Sequence, residues 1–420
     1  MRLRVALLLV VGGLVPATAT TLSAQDLEGQ VHVGADVTPD PHGISAEIRP
    51  DLGPHTIWVA DRLFRHSILF DGDTGNALGM VDTTWSIGGI TPYTSHTRSE
   101  FYVLEPIYAH GNRGKRTDYV TIYDAQTLEV SGDIELPTLK EETAHSVALS
   151  DVLDDERFLV ITNMIPASSV TVVDLAERRF VAEIETAGCT QVYPVGARRF
   201  GMLCGDGTAI AVDLDDDGKL SGMKRSKKFF NAVDEPVSDK GTRDAKRWLF
   251  ASFDGYLHEV DFEPQTPQVT DRWSLTTERE RNAGWRSGGK QHLAVHTESR
   301  RLYALMHKGG PGSHKDPGHE IWTFDLDERK RVGTIDVPSL LPAFLRPVLE
   351  IPRESLWHKF LKLTLPNLGA HSIVVTQDTE ALLFVRHDAV GAIGVVDAAS
   401  GQLLSNIEES GISGGLMTVP

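Results

Sequence analysis

The chain has 420 residues, with 58 acidic side chains against 41 basic ones and a formal charge of −17. A balance of that sign repels nucleic acid and favours a soluble surface, so a nucleic-acid partner is excluded from the expectations. The length would ordinarily divide into two or three domains, and the 41% hydrophobic content is ample for a core.

Residues 1–24 stand apart. Arg2 and Arg4 precede the apolar run VALLLVVGGLV (5–15), and the small residues of PATAT and LSA follow. A charged start, an apolar run too short to span a bilayer and a small-residue region predict a secretory signal peptide, cut after Ala19 or Ala24. No other run is long and apolar enough for a membrane span. Residues 25–50 are polar, rich in Gly, Pro and Asp, and predict an N-terminal arm outside the folded body.

From there the chain repeats one unit. In YVTIYDAQTLEVSGDIELP (119–137) apolar residues alternate up to Tyr123, Asp124 opens a polar turn, and a second β-like run follows. Comparable hairpins lie at 66–82, 169–185, 208–223, 256–275, 320–338 and 392–409. Each has an acid closing its first arm: Asp71, Asp124, Asp174, Asp213, Asp261, Asp325 and Asp397. Their mean spacing is about 54 residues, near the length of propeller repeats. The acids are read as turn formers that bond their own backbone, not as a catalytic ring.

A further strand precedes each hairpin: TIWVA (56–60), EFYVLE (100–105), RFLVITN (157–163), RFGMLC (199–204), RWLFASF (247–253), RLYALMH (301–307) and ALLFVRH (381–387). One more strand per unit, read from pieces such as HSVALS (145–150) and HSIVV (371–375), makes four. The prediction is an all-β fold, a seven-bladed β-propeller of four-stranded antiparallel blades over residues 51–420.

Several segments interrupt the pattern. AHGNRGKRTD (109–118) is a Gly-rich basic loop without the strand-to-helix context of a phosphate site, so its Arg residues are expected to bond carbonyls or a partner. Cys189 and Cys204 lie on what reads as one strand and the start of the next. In an exported chain a disulfide between them is expected in preference to two free buried thiols. Glu278 to Asn282 can form a helical turn, and Trp285 after it reads equally as a packing plug or as part of a site. His307, His314 and His319 are strewn over a Gly and Pro loop, which does not suit a metal site. In 339–368, Leu356, Phe360 and Leu363 fall at helical spacing, which predicts an inserted helix that packs on its own propeller, on a partner or on a membrane face.

No HExxH, CxxC or CxxCH run is present, so the residues by themselves indicate an exported propeller and no reaction. Three longer stretches do resemble a known family. RGKRTDYVTIYDAQTL (113–128) with GDIELP (132–137), the segment from Cys189 to Cys204 with CGDG (204–207), and AGWRSGGKQHLAVH (283–296) with RLYAL (301–305) are similar to the heavy subunit of methylamine dehydrogenase and aromatic amine dehydrogenase.

That resemblance implies a seven-bladed propeller acting as the non-catalytic heavy subunit of a periplasmic quinoprotein. The assembly would hold two heavy and two light subunits, and its tryptophan tryptophylquinone would be built in the Cys-rich light subunit, with no cofactor, metal or catalytic residue in this chain. It would oxidise primary amines to aldehyde and ammonia and pass electrons to a blue copper protein of amicyanin or azurin type. The resemblance also implies the Cys189–Cys204 disulfide, places Phe64 in the wall of the substrate channel, and makes 339–368 an insertion. Two other readings remain: a free-standing exported propeller that binds a ligand or protein without redox work, and a propeller enzyme acting alone, such as a metal-dependent lactonase or a pyrroloquinoline quinone dehydrogenase.

Overall fold

Every predicted hairpin is present in the computed structural model, which describes residues 52–419 apart from 62, 85–91, 341–368, 409 and 412–414. The expected signal peptide, the arm and nearly all of 339–368 lie outside the described residues. The hairpins' first arms are His66–Asp71, Arg116–Asp124, Ser169–Asp174, Ala209–Leu214, Tyr256–Asp261, Glu320–Asp325 and Ala392–Asp397. Each pairs antiparallel with the strand before it: Thr56–Asp61, Glu100–Tyr108, Phe158–Ile165, Arg199–Cys204, Arg247–Ala251, Arg301–Lys308 and Leu382–His387. With one outer and one inner neighbour, each pair makes a four-layered blade, and seven blades form the ring of a β-propeller.

The two middle strands of a blade are covered on both faces by the neighbouring blades. Residues 169–174, SVTVVD, are therefore buried throughout. Outer strands meet solvent on one side, and Val130–Leu136 alternates accordingly. The core lies between blades: Phe158, Val160, Val170 and Val172 of blade 3 meet Val192, Phe200, Met202 and Val212 of blade 4. One glycine is fixed by such a contact, because a Cβ on Gly201 would sit 2.4 Å from the Phe262 ring of blade 5.

Inner strands are short, the eight-residue one of blade 4 excepted. They are Tyr93–Ser95 in blade 2, Cys189–Gly196 in blade 4, Thr242–Asp244 in blade 5 and Ser372–Val375 in blade 7. In blade 3 the position is split between Leu139–Lys140 and Ser150–Val152, and in blade 6 between Trp285–Ser287 and Leu293–His296. HSVALS is therefore only partly a strand. Val147–Leu149 form a 3-10 turn capped by the Ser146 hydroxyl, and extended structure begins at Ser150. Blade 1 takes its inner strand from the far end of the chain, with Trp58 opposite Thr418 and Val59 opposite Met417.

Six of the seven repeat acids cap their turns. Asp71, Asp124, Asp174, Asp261, Asp325 and Asp397 each accept a backbone N–H from two or three residues on. In blade 4 that task falls to Asp215, which accepts from Asp217 and Lys219, while Asp213 pairs with Arg199 at 3.1 Å. Beside these turns the register between third and outer strands slips by a residue in blades 1, 2, 3, 4, 6 and 7. In blade 5 the outer strand is broken into Gln268–Val269 and Trp273–Ser274.

His55 ties the first blade to the seventh. Its Nδ1 lies 2.7 Å from Asp73 and its Nε2 3.0 Å from Asp378, so both nitrogens must donate and the ring is charged. Burial alone would lower its pKa, but the two carboxylates together outweigh burial and raise it above 6.5. A raised folded-state value contributes stability that is complete below about pH 6.5 and is lost as pH rises through the folded value. His55→Gln should therefore lower the denaturation midpoint more at pH 5.5 than at pH 8.5. Equal losses at both would remove the charged ring from this account.

Candidate functional site

Successive strands of a blade run in opposite senses. The turns joining second to third strands, and the crossovers from an outer strand to the next inner strand, therefore leave from one end of the ring. All other turns leave from the opposite end. Phe64 is on the first of these ends, in the turn after Thr56–Asp61, where the Asp61 carboxylate accepts the N–H groups of Leu63 and Phe64 at 2.8 and 3.0 Å. The cap leaves Leu63 and Phe64 58% and 61% exposed, with the Phe64 ring parallel to His66 at 6.1 Å. Ile107 in blade 2 and Met164 and Ile165 in blade 3 are exposed at the same end. Apolar side chains from three consecutive blades thus reach solvent together.

Beneath them lie buried polar groups. Glu105 accepts from the Thr84 N–H at 2.9 Å and the Thr121 hydroxyl at 2.5 Å, and burial raises its pKa. The basic loop between Tyr108 and Asp118 behaves as expected at one residue: Arg116 donates to the Asp118 carboxylate at 2.6 Å and to the Lys140 carbonyl at 2.9 Å.

The inner strands enclose an axial channel of about 690 Å³. Much of its wall is apolar, with Val147, Ala148, Leu293, Val295, Ile373 and Val375 among the lining residues. Toward the apolar end of the ring it carries Lys240 and Lys290. Toward the opposite end it carries Asp151 and the pair Arg243–Asp154, bonded by two contacts of 2.7 Å. Burial pushes the Asp151 carboxyl up to about 7. Tyr93 closes part of the wall by donating to the Ser150 carbonyl at 2.5 Å.

Cys189 and Cys204 are directly opposite on paired strands and form the disulfide. Trp285 is a packing residue, with its ring 5.1 Å from Trp322 and the Lys308 ammonium over its face. Glu278–Asn282 is the expected helical turn, capped by Thr277. His307 bonds Ser313 at 2.9 Å and His314 stacks on Phe253 at 3.8 Å. Among the described residues no three His, Cys, Asp or Glu side chains are placed to hold a metal ion, and no helix is long and apolar enough to cross a membrane. One run, GISGG at 411–415, has the spacing of a nucleophile elbow. Its central residues Ile412, Ser413 and Gly414 lie outside the described residues.

Sequence reasoning missed the channel residues Tyr93, Asp151, Lys240 and Lys290. They sit on or beside strands of three or four residues, where no alternation marks which side chains face the axis.

A family model described as methylamine dehydrogenase heavy chain (MADH) matches residues 58–341. A methylamine dehydrogenase heavy chain from Methylobacillus flagellatus is 28% identical over 272 residues, 64% of this chain and 66% of the relative. Another from Methylorubrum extorquens is 29% identical over 274 residues, 64% of this chain and 65% of the relative. The matched region thus spans just under two thirds of the length of these two relatives. Among solved structures, dihydro-heme d1 dehydrogenase NirN has a TM-score of 0.52 at 17% identity, covering 90% of this chain and 78% of that one, a likeness of fold alone.

Proposed function

This chain belongs to the methylamine dehydrogenase heavy chain family, and from that premise we propose that it is the heavy, scaffold subunit of an exported amine dehydrogenase. A primary amine is oxidised to an aldehyde and ammonia at a tryptophan tryptophylquinone carried by a separate light subunit. The electrons then pass to a blue copper protein in the periplasm. Two heavy and two light subunits make up the assembly.

The observation that carries the reading is the family match over residues 58–341. The fold is consistent with it. The exposed apolar groups of Leu63, Phe64, Ile107, Met164 and Ile165 at one end of the ring give a second subunit a surface to cover. In this arrangement Phe64, held out by the Asp61 cap, lies over the substrate path and sets which amines reach the quinone. The tryptophan pair Trp285 and Trp322, with ring centroids 5.1 Å apart, is packed in the core, with Trp322 only 2% exposed beneath Arg331.

Purification from the native host should yield this chain with a small Cys-rich subunit, and amine-dependent dye reduction should follow the complex. A chain that emerges alone and colourless would favour the free-standing propeller instead. In the complex, Phe64→Ala should change kcat/KM for bulky relative to small amines by about tenfold, the scale of a changed apolar pocket contact. An unchanged ratio would remove Phe64 from the channel wall.

A further inference from the structure

Lys240 lies two residues before the inner strand of blade 5, and Lys290 lies between the two inner pieces of blade 6. Both line the axial channel at the same end. The Lys240 side chain is only 13% exposed, and its one carboxylate partner within 4 Å is Asp239 at 3.9 Å. Asp239 is itself held by the Gln191 amide at 2.9 Å. Lys290 bonds Asp388 at 2.6 Å, but Asp388 also accepts from the fully buried Arg386 at 3.0 Å, so two cations share one carboxylate. Burial, with the neighbouring ammonium groups of Lys315 and Lys290, pulls the Lys240 pKa down despite Asp239.

His292 lies beside this end without lining the channel. His292, between these lysines and the His307–His314 loop, is 3% exposed, and neither of its ring nitrogens has a hydrogen-bond partner. Burial and the charge of Lys240 push its pKa down to about 3, so the ring is neutral and adds no positive charge beside the lysines.

We propose that this end of the axial channel binds a small organic monoanion, a short-chain aliphatic carboxylate whose head lies against Lys240 and Lys290 and whose body lies along the apolar wall. A single negative charge fits better than two. Lys290 is already shared with Asp388, and the far end of the channel carries Asp151 and Asp154. The aliphatic body follows from Val147, Ala148, Leu293, Val295, Ile373 and Val375, and a channel of about 690 Å³ is of the size that encloses small molecules. The Gln291 side chain is unavailable to the ligand because it bonds both the N–H and the carbonyl of Met417, each at 2.8 Å, and this stiffens the wall.

The test is calorimetric titration of hexanoate into the full exported protein with its natural subunits. Hexanol and hexyltrimethylammonium serve as uncharged and oppositely charged probes of the same length, and neither can react as a primary amine. Hexanoate should bind saturably at one site per chain, with hexanol and the cation at least about tenfold weaker, the scale of a lost charge-assisted bond. Lys240→Met should weaken hexanoate by a similar factor, and Lys240→Arg should retain it. Equal binding of the three probes to the unaltered protein would overturn the proposal whether or not the variants fold. So would unchanged hexanoate binding by a folded Lys240→Met protein. The proposal needs only the propeller, so amine-dependent dye reduction, or its absence, leaves it standing.

Discussion

Deleting residues 415–420 should abolish the folded propeller. Met417–Thr418 is the inner strand of blade 1, bonded to Trp58 and Val59, so its loss opens the ring where its two ends meet. Leu416 and Met417 are 1% and 0% exposed, and removing such side chains costs about 2–5 kcal/mol each. The Gln291 amide of blade 6 would also lose both of its partners. The sum approaches the whole stability of an ordinary domain, roughly 5–15 kcal/mol. Circular dichroism and urea denaturation of the truncated protein would check this, and a cooperative transition near the parent midpoint would contradict it. A milder probe is Gly415→Ala, because a Cβ there would lie 1.6 Å from the Ala60 carbonyl oxygen and the closing strand could not seat.

Replacing both Cys189 and Cys204 by Ser should lower stability by about 3 kcal/mol, the chain-entropy contribution of closing a loop of this length. The pair is 1% and 2% exposed and packs with Val192, Phe200 and Met202 at the interface of blades 3 and 4, so the buried hydroxyls add to the loss. Urea denaturation of the double variant measures the difference. Reduction of the parent should reproduce most of it. A double variant within about 0.5 kcal/mol of the parent, the range of an ordinary surface substitution, would mean that the bridge is dispensable.

The middle and outer strands were legible because ring geometry imposes a pattern on them. A strand covered on both faces is buried throughout and rich in β-branched residues, as in SVTVVD, and one covered on a single face alternates. The turn acids were legible for a local reason, since each bonds its own backbone. Asp213 is the instructive exception. An equally good turn former two residues later took its place, and only the position of Arg199 shows why Asp213 is there at all.

Inner strands were less legible. Val147–Leu149 has strand composition yet turns, because the Ser146 hydroxyl caps the N–H of Ala148. Nothing in LMTVP announces that it completes a sheet begun at Thr56, since two residues cannot display a period. The candidate site divides the same way. Phe64 came from family resemblance, and its exposure follows from Asp61, a residue that composition does not distinguish from any other strand-end acid. Lys240, Lys290 and Asp151 line one channel only because the ring brings distant strands to a common axis.

The outer strands carry a further consequence. Seven sheet margins with unsatisfied backbone groups look outward from the disc, and straight margins of that kind recruit other chains into continuous sheets. Here six are bent by an extra residue beside the turn and the seventh is interrupted between Val269 and Trp273. Exposed charges such as Arg179, Lys224 and Lys330 stand along them. The perimeter is thereby a poor template for stacking, and the same irregularities that terminate the repeats confer resistance to fibre growth.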